Sequence, residues 1–408
     1  MPSFSGRTAK HGRHRLLRRG LPILQIAFAV ALVGAIVVAG VMWFRHRETT
    51  TANATPSASA GQESNQPPPA PVCTDDALSM PLRDKLAQLL MVGVTGADDA
   101  RAVVANHRVG GIFIGGWTDL SMVNSATLGE INSSAGPLPV AVSVDEEGGR
   151  VSRLSSLIGA APSARDLAAS SSPDEAYAQA FARAQAMRGL GITIDFAPVL
   201  DVTDAPADTV IGDRSFSNDP DTVTQYAGAY ARGLRDGGVL AVLKHFPGHG
   251  NASGDSHTGS VVTPPLDALE QNDLIPYRSL VGEPGVAVMV GHMQVPGLTG
   301  DQPASLSGAA YMLLRTGSYG APGFGGLVFT DDLSSMRAIS DQYGVAQAVL
   351  MSLQAGADIA LWVTTDEVPA VLDRLEQAVN AGELNIADVD SKVQRIAVVK
   401  GTNPQCGG

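Results

Sequence analysis

"LAVLKHF", Leu240 to Phe246, is an apolar run that carries a lysine and a histidine just before its final phenylalanine and is followed at once by "PGHG". Its apolar residues are continuous rather than alternating, the mark of a strand buried on both faces in a parallel sheet with helices outside. Seven more strand-like runs, most of the same character, are "QLLMVGV" (Gln88 to Val94), "GGIFIGG" (Gly110 to Gly116), "LPVAVSVD" (Leu138 to Asp145), "GITIDFAPVLDV" (Gly191 to Val202), "GVAVMVGHM" (Gly285 to Met293), "GLVFTDD" (Gly326 to Asp332) and "ADIALWV" (Ala357 to Val363). Helix-like segments lie between them, among them Pro173 to Leu190, Pro220 to Gly238 and Tyr343 to Ala357, with prolines at starts and glycines at ends. Eight strand and helix units predict an α/β fold, a (β/α)8 TIM-like barrel with some long loops, as one domain. An open doubly wound sheet is the rival architecture, but no Gly-rich phosphate fingerprint follows the first strand.

A barrel of this kind gathers functional side chains at the C-terminal ends of its strands. The sequence obliges: Asp145 with "EEGGR" ends the third run, Asp201 the fourth, Lys244 and His245 the fifth, His292 the sixth, and Asp331 with Asp332 the seventh. Lys244 to His257, "KHFPGHGNASGDSH", holds three of the eight histidines. His245 and His249 have the spacing of helical metal ligands, but Pro247 and Gly248 between them speak against a helix, so no metal is expected. A serine elbow is missing and neither cysteine neighbours a histidine. Carboxylate and imidazole chemistry remains, in which an aspartate attacks a carbon centre and a histidine protonates the leaving oxygen. Asp255 and His257 are one residue apart, so their side chains meet only in a turn, which "NASGDSH" supplies.

Charge and hydropathy divide the chain. Residues 1–72 carry eight Lys/Arg and two Asp/Glu, leaving 20 basic and 38 acidic groups for the rest, a balance that argues against nucleic acid as a partner. Leu21 to Phe44 is 24 residues without a charge, long enough for a helix to cross a bilayer. The cluster of Arg and Lys before it orients the N-terminus toward the cytoplasm. The expected organisation is a basic tail (1–20), a transmembrane helix or uncleaved signal anchor (21–44), a Pro/Ser/Ala-rich linker (45–72) and a catalytic domain (73–408) held outside the membrane. Secretion after signal cleavage is the alternative. Cys73 and Cys406, the only cysteines, stand at the two ends of the body, and a disulfide between them is expected in an oxidising compartment.

Eight motifs, in order along the body, resemble the single-domain β-N-acetylglucosaminidases of glycoside hydrolase family 3: "DEEGGRVSRL" (Asp145 to Leu154), "FAPVLDV" (Phe196 to Val202), "IGDRSF" (Ile211 to Phe216), "KHFPGHG" (Lys244 to Gly250), "DSH" (Asp255 to His257), "PASLS" (Pro303 to Ser307), "FTDDL" (Phe329 to Leu333) and "AGAD" (Ala355 to Asp358). The resemblance implies that Asp331 is the nucleophile of a retaining, double-displacement reaction. By the same match His257 is its general acid/base and Asp255 the partner that orients His257. It further implies that Asp145, Arg153, Arg214, Lys244 and His245 hydrogen-bond the sugar, and that neither metal nor organic cofactor is needed.

Two departures from the family pattern bear on substrate preference. "DEEGG" stands where Gln or His is usual in the middle, and "GNASGDSHTGSVV" lacks some of the usual polar and leucine residues. The α/β sandwich domain of many members is not expected after the eighth helix. The expected activity is exo-acting release of terminal β-linked N-acetylglucosamine from muropeptides or small oligosaccharides, by a monomer joined to the membrane through its N-terminal helix. A phosphorylase on the same site and a non-catalytic, membrane-tethered glycan-binding protein are the alternatives.

Overall fold

The structure, a computed structural model, describes residues Ala77 to Gly401. The expected tail, membrane helix and linker, and both cysteines of the expected disulfide, lie outside the described residues. Among the described residues no helix is long and apolar enough to cross a membrane.

All eight expected strands are present: β1 (Leu90–Val94), β2 (Gly111–Ile114), β3 (Ala141–Val144), β4 (Ile194–Asp195), β5 (Leu240–Phe246), β6 (Val286–Val290), β7 (Val328–Thr330) and β8 (Ala360–Trp362). They form one sheet, all neighbours parallel, in the order β8-β1-β2-β3-β4-β5-β6-β7. The two edges meet: Thr330 N donates to Ile359 O at 3.0 Å and Asp358 N to Val328 O at 2.8 Å, with a parallel bridge between Phe329 and Ile359. The result is a TIM-like barrel. The fourth strand is much shorter than its apolar run suggests. Beyond Asp195 the chain keeps backbone hydrogen bonds to both neighbours, Phe196 N to Val144 O at 2.9 Å and Val242 N to Ala197 O at 2.9 Å, but the regular ladder gives way to an isolated bridge, Val199 to Lys244, next to Pro198, which has no N–H to give.

Local sequence sets the helices as expected. The helix Pro173–Leu190 opens on a capping box between Ser172 and Glu175, with Pro173 in its first turn, and closes on Gly191 at φ 98°. The helix Pro220–Asp236 is capped by Asp219, whose carboxylate accepts from Thr222 N. That helix buries Val223, Ala227, Tyr230 and Leu234, one face at helical spacing. Each of the larger side chains in that row contributes roughly 1.5–3 kcal/mol by leaving water. Inside the barrel Phe196 meets Phe113 at 5.8 Å and Phe329 at 5.5 Å between ring centroids, and this cluster forms the floor beneath the strand ends.

Behind the turn that follows β5 lies a buried acid, Asp273. A Cβ on Gly248 would stand 2.4 Å from the Asp273 Cβ, so the turn rests directly on it. One Asp273 oxygen accepts from Asn272 Nδ2 at 3.2 Å, and the other has no partner among the described residues. Burial, with Asp201 nearby, pushes this carboxyl up to about 7. A raised carboxyl adds stability that is whole below about pH 4 and is lost as pH climbs through about 7. Asp273→Asn should therefore remove a fall in stability across that window, worth at most roughly 4 kcal/mol. Thermal unfolding of both proteins from pH 4 to 8 checks this, and parallel curves would contradict it.

Candidate active site

All eight side chains singled out from the sequence line one chamber of about 270 Å³ at the C-terminal mouth of the barrel. A sharp hairpin, Glu146–Gly148 with Val151–Ser152, follows β3. In extended chain, residues two apart face the same side. Asp145 and Glu147 therefore look into the chamber while Glu146 points away, buried against Arg183 and accepting from Leu154 N. The hairpin then carries Arg153 to the chamber wall. Arg214 arrives on the short turn Gly212–Arg214 after β4. Lys244 and His245 come from β5, where the pairing register shifts between Leu243 and Phe246; such an irregularity re-aims neighbouring side chains toward one side.

Glu147 is the hub of the cationic wall. Its two oxygens accept from Arg214 Nε and Nη2 at 2.8 Å each, and Lys244 Nζ reaches Glu147 at 2.6 Å and Asp145 at 2.7 Å. Burial alone would raise the Glu147 carboxyl, but Arg214 and Lys244 hold it well below the usual carboxylate range. Burial likewise works against the Lys244 charge, and Asp145 with Glu147 outweighs it. These pairs fix the cations' heads at the chamber surface. Losing one partner of such a buried pair costs about 3–5 kcal/mol through the charge left behind.

Asp201 organises the next layer. Its carboxylate takes His245 Nδ1 at 2.7 Å and the His249 backbone N–H at 2.7 Å. With Nδ1–H committed to Asp201, His245 Nε2 faces the chamber, 3.5 Å from Arg214 Nη2. His249 is buried, lines the same chamber and reaches Ser256 Oγ at 3.3 Å. Its ring lies 6.1 Å from that of His245 at 67°, and each histidine is engaged separately. Among the described residues no group of three or more His, Cys, Asp and Glu is arranged to hold a metal.

The two aspartates that end β7 have different surroundings. Asp332 is turned into its own loop, accepting from Ser334 N and Oγ at 2.8 Å and from Ser335 N at 3.1 Å. Asp331 lines the chamber, with one oxygen accepting from Asp332 N at 2.9 Å. Burial would raise the Asp331 carboxyl, but His245, His292, the Asp332 N–H and Lys244 bring it down to about 2. It is an anion at any ordinary pH. His292 braces this turn from beneath, its Nε2 at 2.8 Å from Asp332 O and its Nδ1 at 2.7 Å from Ser305 Oγ.

Asp255 and His257 meet as the turn predicts. Asp255 Oδ1 accepts the His257 backbone N–H at 2.9 Å and lies 2.7 Å from ring Nδ1, which leaves Nε2 for the chamber. Burial pushes Asp255 up, but the His257 N–H and ring hold it below its ordinary value. The loop is docked by buried Ser256, whose carbonyl accepts from Ala338 N at 3.1 Å. An ionised carboxylate and an oriented imidazole lining one chamber can attack a carbon and protonate the oxygen it loses.

Glu147, Asp201 and His292 were not among the residues expected to act. Glu147 had a readable signal, two positions from Asp145 in extended chain. For Asp201 and His292 their place at strand ends was legible, but their partners were not.

A family model for the glycosyl hydrolase family 3 N terminal domain matches residues 81–399. The β-hexosaminidase LpqI of Mycobacterium tuberculosis is 68% identical over 327 residues, which cover 80% of this chain and 84% of that protein. The crystal structure of a family 3 glycosyl hydrolase from Mycobacterium smegmatis aligns with a TM-score of 0.79 at 71% identity, over 80% of this chain and 99% of that one. A family 3 β-N-acetylglucosaminidase from Paenibacillus aligns with a TM-score of 0.73 at 33% identity, over 79% of this chain and 62% of that one.

Proposed function

The chain belongs to glycosyl hydrolase family 3, and from that premise we propose that it is a retaining exo-β-N-acetylglucosaminidase using Asp331 as nucleophile and His257 as acid/base. The observation that carries this reading is the pairing of an ionised Asp331 with an imidazole whose Nδ1 is taken by Asp255, both lining one chamber. The names of the mycobacterial and Paenibacillus relatives support the hexosamine specificity.

In the first step Asp331 attacks the anomeric carbon while His257 Nε2–H gives its proton to the glycosidic oxygen, and the leaving sugar departs as an alcohol. In the second, the now neutral imidazole takes a proton from water, whose oxygen attacks the same carbon and releases Asp331. Two inversions give net retention. Asp145, Arg153, Arg214, Lys244 and His245 hold the sugar's hydroxyls in this reading. The wall is rigid because its ion pairs are already made before substrate arrives, so orientation costs little on binding.

The proposed natural substrate is a peptidoglycan fragment ending in N-acetylglucosamine, met outside the membrane by a body tethered through residues 21–44. The uncharged run with its basic flank supports that placement. Proton NMR of p-nitrophenyl β-N-acetylglucosaminide hydrolysis tests the mechanism: β-N-acetylglucosamine should appear first and mutarotate later, and initial α-product would overturn it. Rates on the matching galactosaminide and glucoside should be lower. Because an imidazole acid/base does not repel an anionic acceptor as a carboxylate does, the same site favours phosphorolysis as a second reading; sugar 1-phosphate formed in phosphate buffer would establish it.

A further inference from the structure

A second chamber of about 140 Å³ adjoins the first and shares Asp145, Arg153, His257, Asp331 and Met336 with it. The two differ in chemistry. Arg214, Lys244, His245 and Glu147 belong to the first alone, whereas the aromatic and aliphatic Phe113, Trp117, Phe196, Met289 and Leu361, with only Asp332 and Ser335 as polar members, line the second alone. Trp117 is the conspicuous member, since 48% of it is exposed while the other described tryptophan, Trp362, is fully buried.

Its ring is held in place. Phe113 supports one side at 5.9 Å between centroids. A Cβ at position 115 would lie 2.3 Å from the Trp117 ring, so the indole lies across Gly115 in a space only glycine leaves. The turn is tied down by Thr118, whose Oγ1 accepts from Gly115 N at 3.0 Å and donates to Val94 O at 2.6 Å. A large, rigid, half-exposed aromatic face beside a site of polar chemistry is suited to the apolar C–H face of a sugar ring.

We propose that Trp117 is the platform of the leaving-group subsite, stacking against the first sugar beyond the bond that is cut. The inference rests on the reading of Asp331 and His257 given above. The sugar that is attacked needs hydrogen-bond partners for its hydroxyls, and those line the first chamber. The bond to be broken lies between Asp331 and His257, which border both chambers, so the departing ring projects into the second. There it meets Trp117.

The test compares two substrates with the same N-acetylglucosaminyl group: a β-1,4-linked N-acetylglucosamine disaccharide, and the β-glycosyl azide, whose leaving group is too small to touch the indole. Trp117→Ala should lower kcat/KM for the disaccharide on the order of tenfold and for the azide by less than about twofold. Trp117→Phe should recover most of the loss. Gly115→Ala, which displaces the ring without removing it, should act in the same direction as Trp117→Ala. Equal losses on both substrates would place the ring against the attacked sugar and overturn the inference, as would no loss on either. If the unaltered protein cleaved neither substrate, the reading of the whole site would fall and the inference with it.

Discussion

Asp331→Ala should lower kcat on a β-N-acetylglucosaminide by about 10⁴-fold or more, with little change in fold. The expected size follows from the role proposed for the residue: without a nucleophilic carboxylate no covalent intermediate can form, and the surrounding cations cannot substitute for a bond. Asp332→Ala is the informative contrast. The Asp332 carboxylate is spent on Ser334 and Ser335, so its loss loosens the turn that aims Asp331. It should cost about 1–3 kcal/mol of stability and only one to two orders of magnitude in kcat, roughly the effect of misplacing a reacting group. Because Asp331 is held down to about 2, it stays charged through the acid range. Any fall in kcat/KM near about pH 4 must then belong to another group, and it should move when that group is replaced while Asp331 stays in place. Equal activity losses in Asp331→Ala and Asp332→Ala would contradict the assignment.

His257→Ala should show a dependence on leaving group that no structural lesion produces. A disaccharide needs its departing oxygen protonated, and kcat/KM for it should fall by roughly 10²–10⁴. A 2,4-dinitrophenyl glycoside leaves without a proton, so its first step should be nearly unchanged and the glycosyl-enzyme should accumulate. Azide, which attacks without a general base, should then restore turnover and yield the β-glycosyl azide. Asp255→Ala should behave in the same sense but more mildly, because the imidazole remains and only its tautomer and aim are released. Uniform slowing on both substrates with no azide rescue would remove His257 from the proton transfer.

The placement of this candidate site is largely legible in the sequence, for a physical reason. Strands buried on both faces leave unbroken apolar runs, and a parallel barrel sends every strand's functional residue to one rim. The eight strands and eight side chains therefore fell together at that rim. The short fourth strand was harder, because its apolar run continues through Pro198 while its ladder does not. Pairings were illegible for a different reason: Lys244 and Asp145 are 99 positions apart, and nothing in one sequence says that they touch. Glu147 sits between these cases. Its alternation with Glu146 was visible, but only the hairpin turned that alternation into one glutamate facing the chamber and one facing Arg183. Trp117 carried no signal at all, since its meaning comes from Gly115 beneath it and from the chamber beside it.

The most direct test of the account is to trap the intermediate. A 5-fluoro-β-N-acetylglucosaminyl fluoride, which forms a glycosyl-enzyme faster than it is hydrolysed, should label the protein once, and peptide mass spectrometry should place that label on Asp331. A label on any other residue, or hydrolysis with inversion and no label, would contradict it.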